Sequence, residues 1–328
     1  MRFLKHIIKR YKTDGFRIFC VRIPFFFLRK YLEIKLEIKL VMRIKFKKLK
    51  SKNRFVIKNI LGSKMYLDLN DKGISRELFV NNIRKPFLTE LIKKTIKKGD
   101  IIADIGANIG YYALLEAKLV GDKGKVYAIE PVRENFNLLK RNISLNNYSN
   151  IETFRVAIGS KNKTSRILLS KKSNWCSMIK TNNIKIICTN PVNVVTLDAF
   201  LKNKPYPDII RMDVEGYETE IIKGMKNILS TKKPLKLFIE LHSIFIKDKG
   251  IELLKFLKAN GFQIEIFFHE RFPILMKEGK FIRGIFNLMG RITSGPYEFK
   301  LLKVNIDDLI KKERLLSENV FEVFLKRD

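Results

Sequence analysis

Asp104, Gly106, Asn108 and Gly110 fall within the seven residues Asp104-Ile-Gly-Ala-Asn-Ile-Gly110, and Glu130 follows twenty-six positions after Asp104. Glycines in such a turn let the backbone approach a ligand where a Cβ would collide with it. A carboxylate further along can accept two hydrogen bonds from the vicinal hydroxyls of a ribose. The positions around these residues fit that use. An apolar run from Ile101 to Ile105 precedes the turn, a helix-like run from Tyr111 to Leu119 follows it, and the apolar run Val126-Tyr-Ala-Ile-Glu130 ends on the second acid. Strand, Gly-rich turn, helix, strand and terminal carboxylate make one nucleotide-binding βαβ unit.

The turn chemistry narrows the nucleotide. A dinucleotide fingerprint places glycines at relative positions one, three and six so that a pyrophosphate can rest on the helix N-terminus. Those positions are Gly106, Asn108 and Tyr111, and the last two break the pattern. An acid ahead of the first glycine suits a ligand with an amino group and no phosphate. S-adenosylmethionine (SAM) is such a ligand, with Asp104 facing its ammonium and Glu130 its ribose. The expected cofactor set is Asp104, Gly106, Asn108, Gly110, Glu130 and, at the end of the third strand, Ala157. The plain alternative is an ordinary strand-to-helix turn.

Around this unit the chain alternates. Phe55 to Lys58 and Met65 to Asp68 flank Gly62-Ser63 as a hairpin. Pro86 opens a helix that runs to Ile96, with Gly99 as a C-cap. A helix over Glu134 to Leu145 leads to a third strand over Ile151 to Ala157. A polar stretch from Gly159 to about Val192, holding Trp175, breaks the rhythm and suits short strands over the site. A short helix over Thr196 to Leu201 precedes a fourth strand, Ile209 to Asp213. A helix over Glu218 to Leu229, a fifth strand over Leu235 to Glu240, a helix over Ile251 to Ala259 and strands over Phe262 to Phe268 and Val320 to Leu325 complete the series. Such alternation predicts a doubly wound, mainly parallel sheet, with an antiparallel final strand. From Leu32 to Lys47 apolar residues sit almost strictly on even positions, which favours a strand, while the Glu, Lys and Leu content favours a helix. That stretch is unassigned.

With 328 residues and 46% hydrophobic content the chain can fill a sizeable α/β core. Its net charge of +33 draws polyanions without choosing among nucleic acid, anionic lipid and acidic glycan. Residues 1–54 hold 18 Lys and Arg against Asp14, Glu33 and Glu37, a surplus of 15, interleaved with aromatics such as Phe25-Phe-Phe27. That segment suits an anionic membrane surface, an extra helical layer on the main domain, or a solvated basic face. Three widely spaced cysteines, Cys20, Cys176 and Cys188, odd in number, make neither a disulfide framework nor a zinc site, and they favour a reducing compartment. With neither an apolar run of membrane-spanning length nor a secretory core, the expectation is a cytoplasmic protein, peripheral at the inner membrane face if the basic arm binds lipid.

Taken together, the motifs resemble the FkbM family of methyltransferases. Asp104-Ile-Gly-Ala-Asn-Ile-Gly-Tyr-Tyr112 with Ala-Ile-Glu130-Pro131 resembles its SAM-binding half. Asn193-Val-Val-Thr-Leu-Asp198 with Ile209-Ile-Arg-Met-Asp213-Val-Glu215-Gly216-Tyr-Glu218 is similar to its second signature, and Ile239-Glu240-Leu-His242 to a third. The resemblance spans roughly residues 55–268 plus Val320 to Leu325. It implies a Rossmann-like class I methyltransferase fold, α/β with seven strands in the order 3-2-1-4-5-7-6. It also implies SAM as methyl donor and, in several members, O-methylation of a sugar or polyketide hydroxyl. The expected division is a basic extension over 1–54 and a methyltransferase domain over 55–328, with core 99–268, insertion 269–318 and closing strand 320–325. Arg211 departs from the lysine often found ahead of the Asp-Val-Glu-Gly box. That departure, the extension and the insertion bear on the substrate, not on the cofactor.

Transfer to oxygen needs alignment, exclusion of water and removal of a hydroxyl proton. Asp213 at the fourth strand end, His242 past the fifth, and Glu215, freed by Gly216 to point inward, are the candidate catalytic residues. For His242 a loop hydrogen bond is the plain alternative. Asp213, Glu240 and His242 also offer ligands for Mg²⁺ or Mn²⁺, although their spacing does not compel a metal. Glu218 reads as a first-turn acid favoured by its helix dipole, and Trp175 as a stacking or packing residue. The acceptor is then a small molecule or glycan. RNA, held by the basic extension, is the competing acceptor, and a non-catalytic binding protein of the same fold is the third reading.

Overall fold

The structure is a computed structural model, and it describes residues 36–38, 40–170, 172–179, 186–246, 249–268 and 320–328. Most of the basic extension and the 269–318 insertion lie outside the described residues. Residues 40–50 form α1. A hairpin follows, β1 (Phe55–Ile60) and β2 (Ser63–Asp68), and then α2 (Ile74–Asn81) and α3 (Pro86–Thr95). Its two-residue turn puts both Leu61 and Gly62 at positive φ, as a type I′ turn demands.

The central unit is β3 (Ile101–Ile105), α4 (Tyr111–Val120), β4 (Lys125–Ile129), α5 (Arg133–Ser144) and β5 (Ile151–Phe154). Beyond it come β6 (Ala157–Ile158), β7 (Lys163–Ser170), β8 (Ile186–Val195), α6 (Leu197–Leu201), β9 (Ile209–Met212), α7 (Glu218–Lys223) and α8 (Lys226–Ser230). The chain ends with β10 (Leu235–Leu241), α9 (Ser243–Ile246), α10 (Lys249–Ala259), β11 (Gln263–Phe268) and β12 (Phe321–Arg327). The seven-stranded sheet runs β5-β4-β3-β9-β10-β12-β11, and β12 lies antiparallel to both of its neighbours while the other pairs are parallel. A smaller sheet, β6-β8-β7, stands apart from it.

Strand alternation sorts side chains into two cores. Ile102, Val126, Ala128 and Ile209 pack with the hairpin, α2, α3 and α4, whereas Ala103, Ile105, Tyr127, Ile129, Ile210 and Met212 pack with α7, α8 and α10. The same alternation turns Asp104 and Arg211 to the α4 side, and they are register partners on adjacent strands.

Three local expectations are corrected. The third strand stops at Phe154, because Ala157 and Ile158 leave the main sheet to pair with Val194 and Val195 of β8. The helix expected from Glu218 to Leu229 breaks into α7 and α8 at Gly224, where a Cβ would collide with the carbonyl of Gly159. Helix α3 ends at Thr95 with Ile96 extended, so Gly99 is not its cap; at positive φ, Gly99 instead donates its N–H to Val120 O at 2.8 Å. The described part of the unassigned stretch, residues 36–38 and 40–47, is helical, and the helix continues to residue 50.

Candidate active site

A cleft of about 790 Å³, counting the open space at its mouth, lies along the carboxyl ends of β3, β4 and β9. This is where open α/β sheets bind ligands. Its first wall is the turn after β3. Gly106, Asn108 and Gly110 all hold positive φ there, at 86°, 51° and 93°. A side chain at Gly106 would strike the carbonyl oxygen of Asp213, so glycine is what lets the β3 and β9 ends meet. Gly110 starts α4, and its absent side chain leaves room for Leu139.

Glu130 closes the turn. One carboxylate oxygen accepts the Asn108 backbone N–H at 2.9 Å and the other that of Val132 at 2.8 Å. Burial pushes its carboxyl up to about 7, although the two amides favour the charged form. Asn108 also donates from its side chain to the Ser173 carbonyl at 2.9 Å, and Asn135 does so at 3.1 Å. Asp71 grips the same residue from the other side, taking the Ser173 N–H and hydroxyl at 3.0 and 2.9 Å. The 172–179 segment is thereby tied down as a roof, and Ala157 and Ile167 complete the wall beneath it.

Asp104 is placed differently from its expected role. It is fully buried, does not line the cleft, and pairs through Oδ1 with Arg211 at 2.7 Å. Arg211 lies over the Tyr112 ring, 3.9 Å from its centroid, and reaches on to Asp213 at 3.3 Å. Trp175 lies outside the cleft lining, half-exposed, with Lys172 3.2 Å from its ring centroid.

The second wall carries the charge. Asp213 ends β9 and faces Arg211 and, at 3.8 Å, Arg84. Burial alone would raise its pKa, but Lys85, Arg211 and Arg84 outweigh burial and hold it far below the usual carboxylate range. Glu240 and Glu322 are register partners on β10 and β12, and Lys85 sits between them, paired with both. Glu215 has φ 51° and Gly216 φ 100°, a left-handed pair that turns the chain sharply after β9. Its carboxylate lies 3.3 Å from His242 Nε2. His242 Nδ1 meets the buried Glu218 at 2.8 Å, and the ring stacks on Phe245. Burial would lower the histidine pKa, yet Glu215, Glu218 and Glu240 raise it well above its usual value.

The structure therefore brings Asp213, Glu215 and His242 together, with one ligand atom from each lying within 4.8 Å of the others. Glu240, expected beside Asp213 and His242 as a metal ligand, stands 3.8 Å from Nε2 and is taken by Lys85, so Glu215 replaces it. Sequence reasoning missed Arg84, Lys85 and Glu322, and it gave Glu218 only a helix-dipole role. Lys85 precedes a proline and Glu322 follows by 237 residues, so no local pattern joins them.

The sequence profile described as "Methyltransferase FkbM domain" matches residues 104–264. A probable cobalt-precorrin-6B C(15)-methyltransferase (decarboxylating) of Saccharolobus solfataricus is 31% identical over 177 residues, covering 48% of this chain and 88% of that protein. This chain belongs to the FkbM-domain family of SAM-dependent methyltransferases. The methyltransferase is also similar to the hexuronic acid methyltransferase AglP of Haloferax volcanii, at 24% identity over 143 residues and 43% of this chain. It spans only 56% of AglP, a little over half that relative's length. Among solved structures, M. jannaschii TYW2 in complex with AdoMet aligns at 14% identity and a TM-score of 0.38, over 84% of this chain and 85% of that one.

The cleft residues of the methyltransferase fit SAM. A buried carboxylate ends β4, a left-handed turn beside it exposes backbone, and the carboxylates of the second wall suit a cationic ligand. Cys176 also lines the cleft, but burial pushes its thiol up to about 12, so it stays protonated and is no nucleophile at neutral pH.

Proposed function

We propose that this methyltransferase transfers the methyl group of SAM to a hydroxyl oxygen of a sugar, in a glycan, glycolipid or related metabolite. The observation that carries this reading is the pair Asp213 and Glu215 in the cleft lining, with the buried His242 beside them. Two carboxylate acceptors in the lining suit a hydroxyl donor. The similarity to AglP, named as a hexuronic acid methyltransferase, supports a sugar.

When bound, SAM supplies an electrophilic methyl group on a sulfonium centre. Glu130 accepts hydrogen bonds from its ribose hydroxyls, and the Gly106–Gly110 turn gives it backbone contact. Asp104, paired with Arg211, stands under that turn and ties β3 to β9 beneath the ligand. Asp213 and Glu215 line the cleft and accept the hydrogen bond of the incoming hydroxyl, which aims an oxygen lone pair along the transfer line; as the methyl would pass from sulfur to oxygen, the hydroxyl proton would go to Glu215 and the neutral thioether would leave. His242, with Nδ1 on Glu218 and Nε2 facing Glu215, holds the Glu215 carboxylate in place from behind. Alignment in a cleft shielded from water by the 172–179 roof therefore contributes more than a strong base, and orientation can supply about 7–11 kcal/mol in the best intramolecular cases.

Residues 1–54 serve, in this reading, as a basic arm for an anionic lipid surface. Helix α1 buries Phe46 against the domain while exposing Leu40, Val41 and Ile44 among lysines. The net charge of +33 supports one rival acceptor, RNA. Incubation with labelled SAM and a panel of uronic acid glycosides, neutral glycosides and bulk RNA tests the assignment. Label in a sugar methyl ether is expected, and label in RNA alone would overturn it.

A further inference from the structure

We propose that His242 Nε2, Glu215 and Asp213 form a binding site for one divalent cation of the Mg²⁺ or Mn²⁺ class at the acceptor end of the cleft. Their nearest donor atoms lie within 4.8 Å of one another, and Nε2 is 3.3 Å from Glu215 Oε2. Ligands about 2.1 Å from a common ion stand roughly 3–4 Å apart, so closing around one needs side-chain adjustments of about an ångström. Two carboxylates and one imidazole make a hard, oxygen-rich donor set suited to these ions.

Glu218 supplies the independent observation. Its side chain is fully buried at the start of α7, and Oε1 accepts the Gly216 N–H at 3.0 Å while meeting His242 Nδ1 at 2.8 Å. A carboxylate on Nδ1 fixes the proton there and leaves the Nε2 lone pair for a metal, the usual supporting arrangement behind a metal-bound histidine. The other oxygen, Oε2, is buried without a hydrogen-bond partner. A buried carboxylate with an unmatched oxygen is costly unless positive charge lies close by.

The charge balance points the same way. Asp213, Glu215, Glu218, Glu240 and Glu322 surround His242 and Lys85, while Arg84 and Arg211 are shared with Glu77 and Asp104. Carboxylates outnumber fixed cations at this spot, in a chain that elsewhere carries a large positive surplus. Asp213 and Glu215 line the cleft, so the remaining coordination positions face the acceptor. An ion there would draw a hydroxyl oxygen into position and lower its pKa. That use rests on the reading of the cleft as an O-methyl-transfer site, whereas the ion's seat does not.

Mn²⁺ titration of the full-length protein, followed by loss of the free-ion electron paramagnetic resonance signal, tests the site. One Mn²⁺ per chain is expected, with a ¹⁴N coupling from a single imidazole. His242→Ala should abolish the coupling, and His242→Ala and Glu215→Gln should each weaken binding at least tenfold. Glu218→Gln should weaken it roughly 10–100-fold through the histidine. Glu130→Ala should keep Mn²⁺ binding while losing SAM, which separates failure of this site from failure of the cofactor reading. Absence of Mn²⁺ uptake by the unaltered protein, or uptake without the imidazole coupling, would overturn the proposal whether or not the variants fold.

Discussion

The two walls of the cleft are built by different means. The wall that meets SAM is local: β3, its turn, α4 and β4 lie within thirty residues, and Glu130 is held by two backbone amides. The opposite wall is assembled from α3's leading residues, β9, β10 and β12, and side-chain ion pairs hold it together. Backbone hydrogen bonds survive most substitutions nearby, whereas a buried ion pair fails when one partner goes. The cofactor wall should therefore tolerate change everywhere except at its glycines and Glu130, and the acceptor wall should be fragile at each cation.

The largest expected effect lies on the acceptor wall. Arg211→Ala leaves Asp104 buried opposite an empty register position, and removing one partner of a buried pair costs about 3–5 kcal/mol. Chemical denaturation should show that loss, and Arg211→Lys should show a smaller one because it keeps the charge but not the fork that spans Asp104 and Asp213. A loss below about 1 kcal/mol for the alanine variant would remove the contrast between the walls. Next comes Gly106→Ala. Its positive φ and the Asp213 carbonyl leave no room for a methyl group, so a cost of about 1–3 kcal/mol is expected together with loss of SAM binding.

The pH dependence of SAM affinity is the third. Glu130 has its pKa raised to about 7, so its ionised, hydrogen-bond-accepting form is populated as pH rises through that value and is lost below it. Affinity should fall roughly 30-fold between about pH 8.5 and about pH 5.5, following the ionised fraction. Calorimetry across that range should show the fall in the unaltered protein and a flatter profile in Glu130→Gln. The smallest effect is expected at the roof, where Asn135→Ala removes one hydrogen bond to Ser173 and should cost about 1 kcal/mol. The Michaelis constant for the acceptor should rise a few-fold, and an unchanged value would show that the roof is held by Asn108 and Asp71 alone.

The contrast between the walls also explains what could be read from the sequence. The β3–turn–α4–β4 unit was legible because apolar runs, glycines and the two acids occur in order within one stretch, and the first strand's bounds agree with the structure while the second is shifted by one residue. The mainly parallel sheet with an antiparallel last strand followed from the same alternation. Contacts across the chain stayed hidden. Nothing near Gly224 announces that Gly159 will press against it and divide the helix. Nothing around Lys85 foretells a pair of acids brought face to face by β10 and β12. Helix α1 resisted assignment because it is apolar on two faces, with Met42, Phe46 and Leu49 turned inward and Leu40, Val41 and Ile44 outward. Glu215 was legible through the turn that Gly216 permits, whereas Glu218 could be placed against His242 only once that left-handed turn was seen.

Parallel calorimetric titration of SAM into Glu130→Ala and Glu215→Gln tests the division of labour between the two walls most directly. The Glu130 variant should lose at least tenfold in SAM affinity, while the Glu215 variant should bind SAM as the unaltered protein does and lose methyl transfer. Undiminished SAM binding by the Glu130 variant, or equal loss in both, would contradict it.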